Sequence, residues 1–332
     1  MNAFTALGAR AINADSFSEL KRIVKMAAKN HKRINVGLRL NTRYAWKKFG
    51  VPIQYSEQFF RAGAKLKNVK LNSIHVHLGT DIRSTTPYTH AVADVTRLMS
   101  LLKKSGIAIE FLDLGGGFTK GNVGRWGGMT FLQTVTKWLT RFSLGKLQDR
   151  IDLSKAIYAP APTLDEYSSN ICNKLKKEVE ERDLPLPTLL LEPGRYLVND
   201  TFTLLLSVVD LKESGKEQWV MVDGGINLAP FLDIEAHRIF NASKKSSKHK
   251  EFKMGGPLCT ERDILCRKAV IAPPEQGDLI EILDVGAYSV SLSWQFIRPR
   301  APVVMITDNG EVKETRRRET AEDILKLDSF AF

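Results

Sequence analysis

The chain has 332 residues, enough for two domains, and its 43% hydrophobic and 26% charged residues exclude a disordered or fibrous protein. No apolar run reaches the roughly 18 residues of a spanning helix, and three cysteines cannot form a disulfide framework, so we expect a cytoplasmic protein without a membrane partner. The net charge of +12 is scattered, and its densest cluster (Lys244, Lys245, Lys248, His249, Lys250) lacks aromatic neighbours, which indicates a solvated loop rather than a nucleic-acid surface.

The first two-thirds of the chain alternates short apolar runs with amphipathic segments, which is typical of βα units around a parallel sheet. Ser16 and Glu19 form a capping box that begins the first helix, Gly106 ends the second, and Thr163 with Glu166 begins a third. Strands are predicted at Ala11–Ala14, Ile34–Asn41, Leu71–Leu78, Ile109–Leu114 and Thr188–Leu191.

Beyond about Asn199 helical periodicity fades, and Asp308-Asn309-Gly310 is a hairpin signal. We therefore predict a βα-rich domain over residues 1–198 and a β-rich domain over residues 199–332. Thr119–Pro162 is too long for an ordinary βα connection and is interpreted as an insertion with its own helix-like segment, Phe131–Phe142, either functional or ornamental. Strands of the second domain are predicted at Phe202–Leu211, Trp219–Val222, Leu279–Leu283 and Pro302–Thr307.

Two of the predicted parallel strands are followed by groups that suit a phosphate. Gly115, Gly116 and Gly117 lack Cβ atoms, so their N–H groups can form an anion nest, although a glycine turn without a ligand is the alternative. Glu192 and Arg195 follow the next strand, where barrel active sites lie. The arginine can clamp a phosphate and the carboxylate can hold a pyridine nitrogen protonated, or the two form an ordinary rim ion pair.

His75 and His77 end another strand and face the same side of it, because side chains alternate with a period of two. No other cluster of acidic or imidazole groups in the sequence completes a metal-ligand set, so no metal is expected, and an imidazole stacked on a planar cofactor is favoured. A satisfied core histidine is the alternative for His75. Cys259 follows a Gly-Pro turn, which indicates a reactive thiol, whereas Cys172 and Cys266 are expected to be buried and inert.

Taken in order, these motifs resemble the fold-type III pyridoxal-phosphate (PLP) decarboxylases, particularly the diaminopimelate decarboxylase group. Lys48–Ile53, the segment Gly286-Ala287-Tyr288 and Arg316–Thr320 belong to the same resemblance. It implies a (β/α)₈ barrel, a β-rich second domain and a head-to-tail homodimer with shared active sites. It also implies site residues: His77 stacked on the ring, Glu192 on the ring nitrogen, Cys259 as the acid reaching into the partner's site, and Thr80, Gly115, Gly116, Gly117, Gly194, Arg195 and Tyr288 as further cofactor-binding residues.

The chain departs from the family pattern in its first part. The Ala-Val-Lys-Ala-Asn motif that carries the Schiff-base lysine is absent, and five βα units are counted where a closed barrel has eight. The fold class is therefore an incomplete barrel followed by a β-rich domain. Lys29 lies on the polar face of a capped helix and is rejected as the catalytic lysine. A truncated gene product, an N-terminal companion chain and a non-catalytic descendant remain open.

A second departure concerns the substrate. Thr260 stands where the family carries an acid for the substrate's distal ammonium, and Ala229-Pro230 stands where diaminopimelate enzymes carry Arg-Pro. Because unpaired buried charges are costly, meso-diaminopimelate is disfavoured. The predicted function is PLP-dependent decarboxylation of an α-amino acid. The predicted substrate is an amino acid other than meso-diaminopimelate, or an intermediate of a siderophore or antibiotic pathway. The alternatives are a pseudoenzyme or regulatory subunit and, more weakly, a nucleic-acid-binding protein.

Overall fold

The computed structural model describes residues 11–42, 48–120, 124–125, 161–232 and 235–329. These residues divide into two compact units. The first unit comprises Met1–Gly121 and Pro160–Leu197, and the second comprises Asn122–Ala159 and Val198–Phe332. The predicted insertion and its helix-like segment Phe131–Phe142 lie almost entirely outside the described residues.

The first unit is a parallel sheet flanked by helices. Its strands are β1 (Ile12–Ala14), β2 (Ile34–Asn41), β3 (Val51–Pro52), β4 (Val69–His75), β5 (Phe111–Asp113) and β6 (Thr188–Leu190). Its helices are α1 (Phe17–Lys29), α2 (Ser56–Ala64), α3 (Thr86–Lys103), α4 (Leu164–Glu181) and α5 (Gly194–Val198), the last of which reaches the unit boundary. The strands follow the order β1-β2-β4-β5-β6, with β3 beside β2, and all pair in parallel. The predicted partial barrel of βα units is confirmed.

Local sequence signals explain where these helices begin and which face they bury. Ser16 Oγ accepts a hydrogen bond from the Glu19 N–H at 3.2 Å, which caps α1. Thr163 and Glu166 form the complete capping box of α4. In α1 the buried residues recur at helical spacing and cover the sheet, while Lys29 is exposed at the C-terminal end, as the sequence predicts.

The predicted strand positions are confirmed for β2 and, within a residue or two, for β1, β5 and β6. The prediction of Leu71–Leu78 was wrong at both ends, because the strand runs from Val69 to His75. Val76 and Leu78 are buried, although they lie beyond the end of the strand. The run of apolar residues in the sequence is therefore longer than the strand at this end. The short strand β3 and helix α2 were not predicted from the sequence: β3 has only two residues, and α2 has polar residues on its exposed face.

The second unit is built on a mixed six-stranded sheet. Its strands are β7 (Leu204–Ser214), β8 (Glu217–Val222), β9 (Glu235–Ala236), β10 (Ile239–Asn241), β11 (Lys250–Gly255), β12 (Ile264–Ile271), β13 (Leu279–Ile282), β14 (Val303–Ile306) and β15 (Val312–Arg316), followed by α6 (Ala321–Leu325). The order is β10-β13-β7-β8-β11-β12, in which only the β8–β11 pair is parallel. β9 pairs with the short strand Gly124–Arg125. The predicted β-rich fold is confirmed.

The hairpin predicted at Asp308-Asn309-Gly310 joins β14 to β15, and the Thr307 N–H donates to the Glu311 carbonyl at 2.9 Å. The sequence analysis missed β10, β11 and β12. In β11 the charged residues Lys250, Glu251 and Lys253 hide the alternation that would have revealed a strand, because only part of its surface is buried. None of the helices described in either unit combines the length and the apolarity required to cross a bilayer.

The core of the first unit depends on the central strand β4. Ile74 is fully buried there, so Ile74→Ala leaves a cavity and should lower the free energy of unfolding by about 2–5 kcal/mol. Leu186→Ala, at a position 59% exposed, is the matched control and should change it by less than about 0.5 kcal/mol. Urea unfolding curves measure both; equal midpoints for the two variants would contradict the assigned core.

Candidate cofactor site

Three ionisable side chains lie in one row at the carboxyl edge of the parallel sheet. The strand register places Arg39 of β2 opposite His75 of β4, and His75 opposite Asp113 of β5. Since parallel strands end at the same edge, residues far apart in sequence converge there. Of these three, the sequence analysis had considered only His75, and Asp113 entered only as part of the strand that precedes the glycines.

The three glycines after β5 form a tight cradle of backbone. Gly115 adopts φ +64° and Gly117 φ +90°, conformations that side chains rarely adopt. A Cβ on Gly116 would lie 2.4 Å from the Glu192 carbonyl oxygen. The Glu192 N–H also donates to the Gly115 carbonyl at 2.9 Å. The segment that bears the glutamate is thus held directly against the glycine turn.

A group of packed aromatic side chains supports the glycine cradle. The buried Tyr88 hydroxyl of α3 donates to the Gly116 carbonyl at 2.9 Å. The Tyr88 ring stacks on Phe118 with a centroid separation of 4.7 Å, and Tyr167 of α4 meets both rings edge-on. Burial raises the pKa of the Tyr88 hydroxyl well above its usual range, so it stays a hydrogen-bond donor. The sequence analysis missed this support, although Tyr88 lies on the buried face of a predicted helix.

Two histidines and one glutamate converge beside the cradle. The His75 Nε2 atom lies 3.8 Å from a Glu192 carboxylate oxygen. One ligand-type atom from each of His75, His77 and Glu192 lies within 4.8 Å of the others. The expectation that no acidic group completes a ligand set around the histidine pair was therefore wrong: Glu192 comes from another strand, and sequence spacing cannot show that proximity.

Burial and neighbouring charges set the protonation of this cluster. Burial, opposed by Asp113 and reinforced by Arg39, lowers the pKa of His75 to about 4. Burial and Arg39 lower the pKa of His77 as well. Burial and the neighbouring Asp113 carboxylate raise the pKa of Glu192. Both imidazoles are consequently neutral at pH 7, and the glutamate is a stronger base than an exposed one.

The His75 ring is buried, and neither of its nitrogens makes a hydrogen bond within the residues that the structure describes. The satisfied core histidine considered for this position was therefore wrong. The Gly116 N–H points to Nδ1 of His77 at 3.4 Å, which places the His77 proton on Nε2. His77 is half-buried.

Arg39 is held by the segment that contains the Lys48–Ile53 motif. Its guanidinium lies 4.4 Å from the centroid of the Phe49 ring and 3.8 Å from Asp15 Oδ1. The same Asp15 oxygen accepts the Gly50 N–H at 3.0 Å. The Lys48–Ile53 motif thus has a structural role, since it holds the Arg39 guanidinium, which lies beside the two histidines.

The other residues predicted for the first unit lie around this cluster. Thr80 is half-buried and follows Gly79, whose carbonyl oxygen lies 2.6 Å from a Cβ built on Gly117. The Gly194 N–H donates to the Glu192 carbonyl at 2.8 Å. Arg195 is 7% exposed in α5. These contacts place the HLGT, GGG and EPGR motifs next to one another.

The remaining predicted residues belong to the second unit. Cys259 is exposed, and Tyr288 is 43% exposed with a left-handed backbone at φ +62°, a strained conformation of the kind found at functional sites. Cys172 and Cys266 are partly rather than fully buried. Burial raises the pKa of Cys266 to about 11, which agrees with an inert thiol.

The residues of the first unit fit the shape and charge of PLP. The cradle leaves backbone where side chains would otherwise stand, which suits a phosphate. The raised pKa of Glu192 suits a carboxylate that shares a proton with a pyridine nitrogen. The imidazole of His77 lies close to both the glycine turn and Glu192, and its neutral ring is suited to stacking on an aromatic cofactor.

Comparison with known proteins agrees with this arrangement. A sequence model described as "Pyridoxal-dependent decarboxylase, pyridoxal binding domain" matches residues 1–144. Diaminopimelate decarboxylase of Aquifex aeolicus is 27% identical over 329 residues, covering 95% of this chain and 69% of that protein. The Archaeoglobus fulgidus enzyme is 28% identical over 334 residues, covering 95% and 70%. The crystal structure of diaminopimelate decarboxylase from M. jannaschii, also solved with L-lysine, has a TM-score of 0.80 at 26% identity and covers 97% of this chain and 70% of that one.

Fold and site together define a PLP-binding enzyme built on parallel βα units and a β-rich second unit. The chain is similar to the fold-type III PLP-dependent decarboxylases, and among them to the diaminopimelate decarboxylases. The comparisons accordingly support a carboxy-lyase activity with PLP as cofactor.

The cradle gives a test of cofactor binding. Gly116→Ala places a methyl group against the Glu192 carbonyl and should weaken PLP binding by about tenfold or more, the equivalent of about 1.4 kcal/mol. Gly106→Ala is the control: its φ of +72° makes this change strained as well, but a Cβ there meets nothing within 4 Å, and Gly106 follows helix α3 rather than a strand end of the cradle. Titration with PLP, followed by absorbance, measures both dissociation constants. Equal affinities for the two variants would refute the cradle.

The buried His75 gives a pH test of stability. Its folded pKa of about 4 lies below the value of about 6.5 in the unfolded chain, so only the unfolded state takes up the proton between these values. His75 therefore lowers the free energy of unfolding as pH falls through this window, by up to about 1.4 kcal/mol per pH unit. Glu192, whose pKa is raised, has the opposite effect on how the free energy of unfolding depends on pH. Because Glu192 is present in both the wild type and the His75 variant, its effect is common to both.

Urea unfolding across about pH 4 to 6.5 should give a flatter pH profile for His75→Gln than for the wild type. His90→Gln, which changes an exposed histidine of α3, serves as the control and should retain the wild-type slope. Parallel profiles for wild type and His75→Gln would show that His75 is not a buried neutral imidazole.

Proposed function

We propose that the chain decarboxylates an α-amino acid and that the cluster at the carboxyl edge of the first unit holds the PLP. The observation that supports this proposal is the convergence of His77, Glu192 and the glycine cradle, which come from three separate strand ends. When bound, PLP supplies an electron-accepting ring for the electron pair left on the substrate's α-carbon as the carboxyl group departs.

Each residue of the first unit has a distinct part in this proposal. Gly115, Gly116 and Gly117 form the phosphate site by bringing backbone close to the ligand without side chains, with Arg195 supplying positive charge close to it. Glu192 holds a proton at the ring nitrogen, which its raised pKa favours. His77 stacks on the ring face and excludes water from it. Thr80 and Gly194 belong to the two segments next to the cradle.

The second unit contributes two residues to the proposal. Cys259 Sγ holds the proton that is delivered to the α-carbon after carbon dioxide leaves. Tyr288 binds the phosphate. The exposed thiol and the strained backbone of Tyr288 support these roles. We propose a reducing, cytoplasmic location, in which Cys259 would remain the free thiol that this role requires.

A homodimer with shared active sites is part of the same proposal. The segment from Tyr288 to Ile297 exposes large apolar side chains, with Leu292 at 46% and Ile297 at 62%. The β14–β15 hairpin exposes Ile306 at 72% and Val312 at 62%. Apolar surface of this density marks a protein interface. A companion chain carrying the Schiff-base lysine stays a prediction.

We propose that the substrate differs from meso-diaminopimelate at its distal end. Relatives are named for that substrate, and L-lysine is bound in one of the related crystal structures. Here Thr260 and the buried Ala229 offer no charge to a distal ammonium or carboxylate. Because a charged group buried without a partner is penalised, an amino acid with a neutral distal end fits better, as in some siderophore or antibiotic intermediates.

Release of carbon dioxide from a panel of amino acids tests the activity and the site together. With PLP present, Glu192→Gln should lower kcat by about 100-fold or more, because the ring nitrogen loses its acidic partner. Glu181→Gln, at an exposed position of α4, is the control and should match the wild type. The panel should include meso-diaminopimelate, which we expect to be a poor substrate.

Four outcomes would contradict the proposal in different ways. Equal rates for the two glutamate variants would remove Glu192 from the site. Efficient turnover of meso-diaminopimelate would refute the substrate inference alone. PLP binding that yields neither a borohydride-reducible adduct nor carbon dioxide with any substrate would favour the pseudoenzyme, and a monomeric sedimentation coefficient would refute the dimer.

A further inference from the structure

The carboxylate of Asp263 links two separate loops of the second unit. Its Oδ1 accepts the Ile226 N–H at 2.8 Å, and its Oδ2 accepts the Leu258 N–H at 2.7 Å. Both hydrogen bonds are buried, and Asp263 itself is only 5% exposed. The loop of residues 223–227 and the loop of residues 255–259 are therefore fastened to the same side chain.

The backbone of Asp263 closes the second of these loops around Cys259. Its carbonyl accepts the Gly256 N–H at 3.0 Å, and its N–H donates to the Thr260 carbonyl at 3.1 Å. The Thr260 N–H in turn donates to the Leu258 carbonyl at 2.8 Å. Cys259 lies between two anchored neighbours, so the position of its backbone is determined by these bonds.

Glycines make the close approach of the two loops possible. A Cβ on Gly225 would lie 2.6 Å from Asp263 Oδ1. A Cβ on Gly256 would lie 2.3 Å from Asp263 Oδ2 and 2.6 Å from the Gly225 Cα. The carboxylate thus fills a slot between two backbones that has no room for another side chain. This accounts for Gly225 in one loop and Gly256 in the other.

Amide donors, rather than a cation, balance the charge of Asp263. Throughout the described ranges no lysine, arginine or histidine forms an ion pair with it. An ionised carboxylate held by backbone N–H groups forms strong, short hydrogen bonds. Asparagine has nearly the same shape but turns one oxygen into an N–H donor, which would face another N–H and lose that bond.

We propose that Asp263 is a positioning residue that fixes the Cys259 thiol by clamping its loop to the loop of residues 223–227. The catalytic meaning of this clamp rests on the proposed role of Cys259 as a proton donor, whereas the clamp itself does not. Asp263 acts through the backbone of Leu258 and need not touch substrate or cofactor.

The test compares Asp263→Asn with the wild type by hydrogen exchange and thiol alkylation. Amide exchange in peptides that cover residues 224–228 and 255–260 should accelerate by about tenfold or more, because both anchors loosen together. The rate at which iodoacetamide alkylates Cys259, followed by peptide mass spectrometry, should change severalfold. Alkylation of Cys266 should stay unchanged and serves as an internal reference.

Asp278→Asn is the matched control for this variant. Asp278 is another carboxylate of the second unit that accepts a backbone N–H, from Glu275 at 2.8 Å, and it lies in the loop that precedes β13. The Asp278→Asn variant should show wild-type amide exchange at residues 255–260 and wild-type reactivity of Cys259. With substrate, Asp263→Asn should lower kcat more than it raises KM, since the thiol is displaced while the cofactor-binding residues of the first unit are unchanged.

Wild-type exchange keeps the proposal testable if Asp263→Asn does not fold. The Ile226 and Leu258 amides should both exchange at least about tenfold more slowly than the Cys259 amide, because one carboxylate holds both. Exchange of either amide at the Cys259 rate would overturn the clamp. So would a folded Asp263→Asn protein with wild-type exchange and alkylation. A Cys259→Ala protein with full activity would refute the role of Cys259 but leave the clamp standing.

Discussion

The close approach of the Glu192 backbone to the glycine turn after β5 is the constraint on which the site in the first unit depends. The two segments touch at Gly116 with no room for a Cβ, and the Glu192 N–H is bonded to Gly115. This contact fixes the distance between the groups that would hold the two ends of a planar cofactor. It exists only because β5 and β6 are adjacent and parallel, so that both chains leave the sheet at the same edge.

Much of this arrangement could be predicted from the sequence, because its local signals are strong. The capping residues Ser16 and Thr163, the apolar run of β2 and the hairpin at Gly310 each act over a few residues. The glycines and Glu192 were likewise recognisable, since each follows a buried run at a strand end. Predicting that they share an edge required only that the strands be parallel.

What the sequence could not show is proximity that arises from strand register. Pairing between strands brings Arg39, His75 and Asp113 into one row. The residues near any one of them in the sequence do not indicate that the other two lie beside it. For the same reason Glu192 was not expected to join the histidine pair. Strand β11 was missed because a sheet with partly exposed faces tolerates charged residues, which removes the apolar alternation used to detect strands.

Asp113 connects the shape of the cradle with the protonation of the cluster. Its Oδ1 accepts the Gly115 N–H at 2.9 Å, which helps to hold the turn in its left-handed conformation. The same carboxylate raises the pKa of Glu192 and opposes the fall in the pKa of His75. Arg39 acts in the opposite direction on all three neighbouring groups, since it lowers the pKa of His75, His77 and Glu192. Asp113 lies on the strand between those that lead to His75 and Glu192, whereas Arg39 lies on the far side of His75. Because Asp113 fastens the glycine turn and also adds to the basicity that burial gives Glu192, the geometry that binds a phosphate and the charge that binds a pyridinium are coupled in this fold.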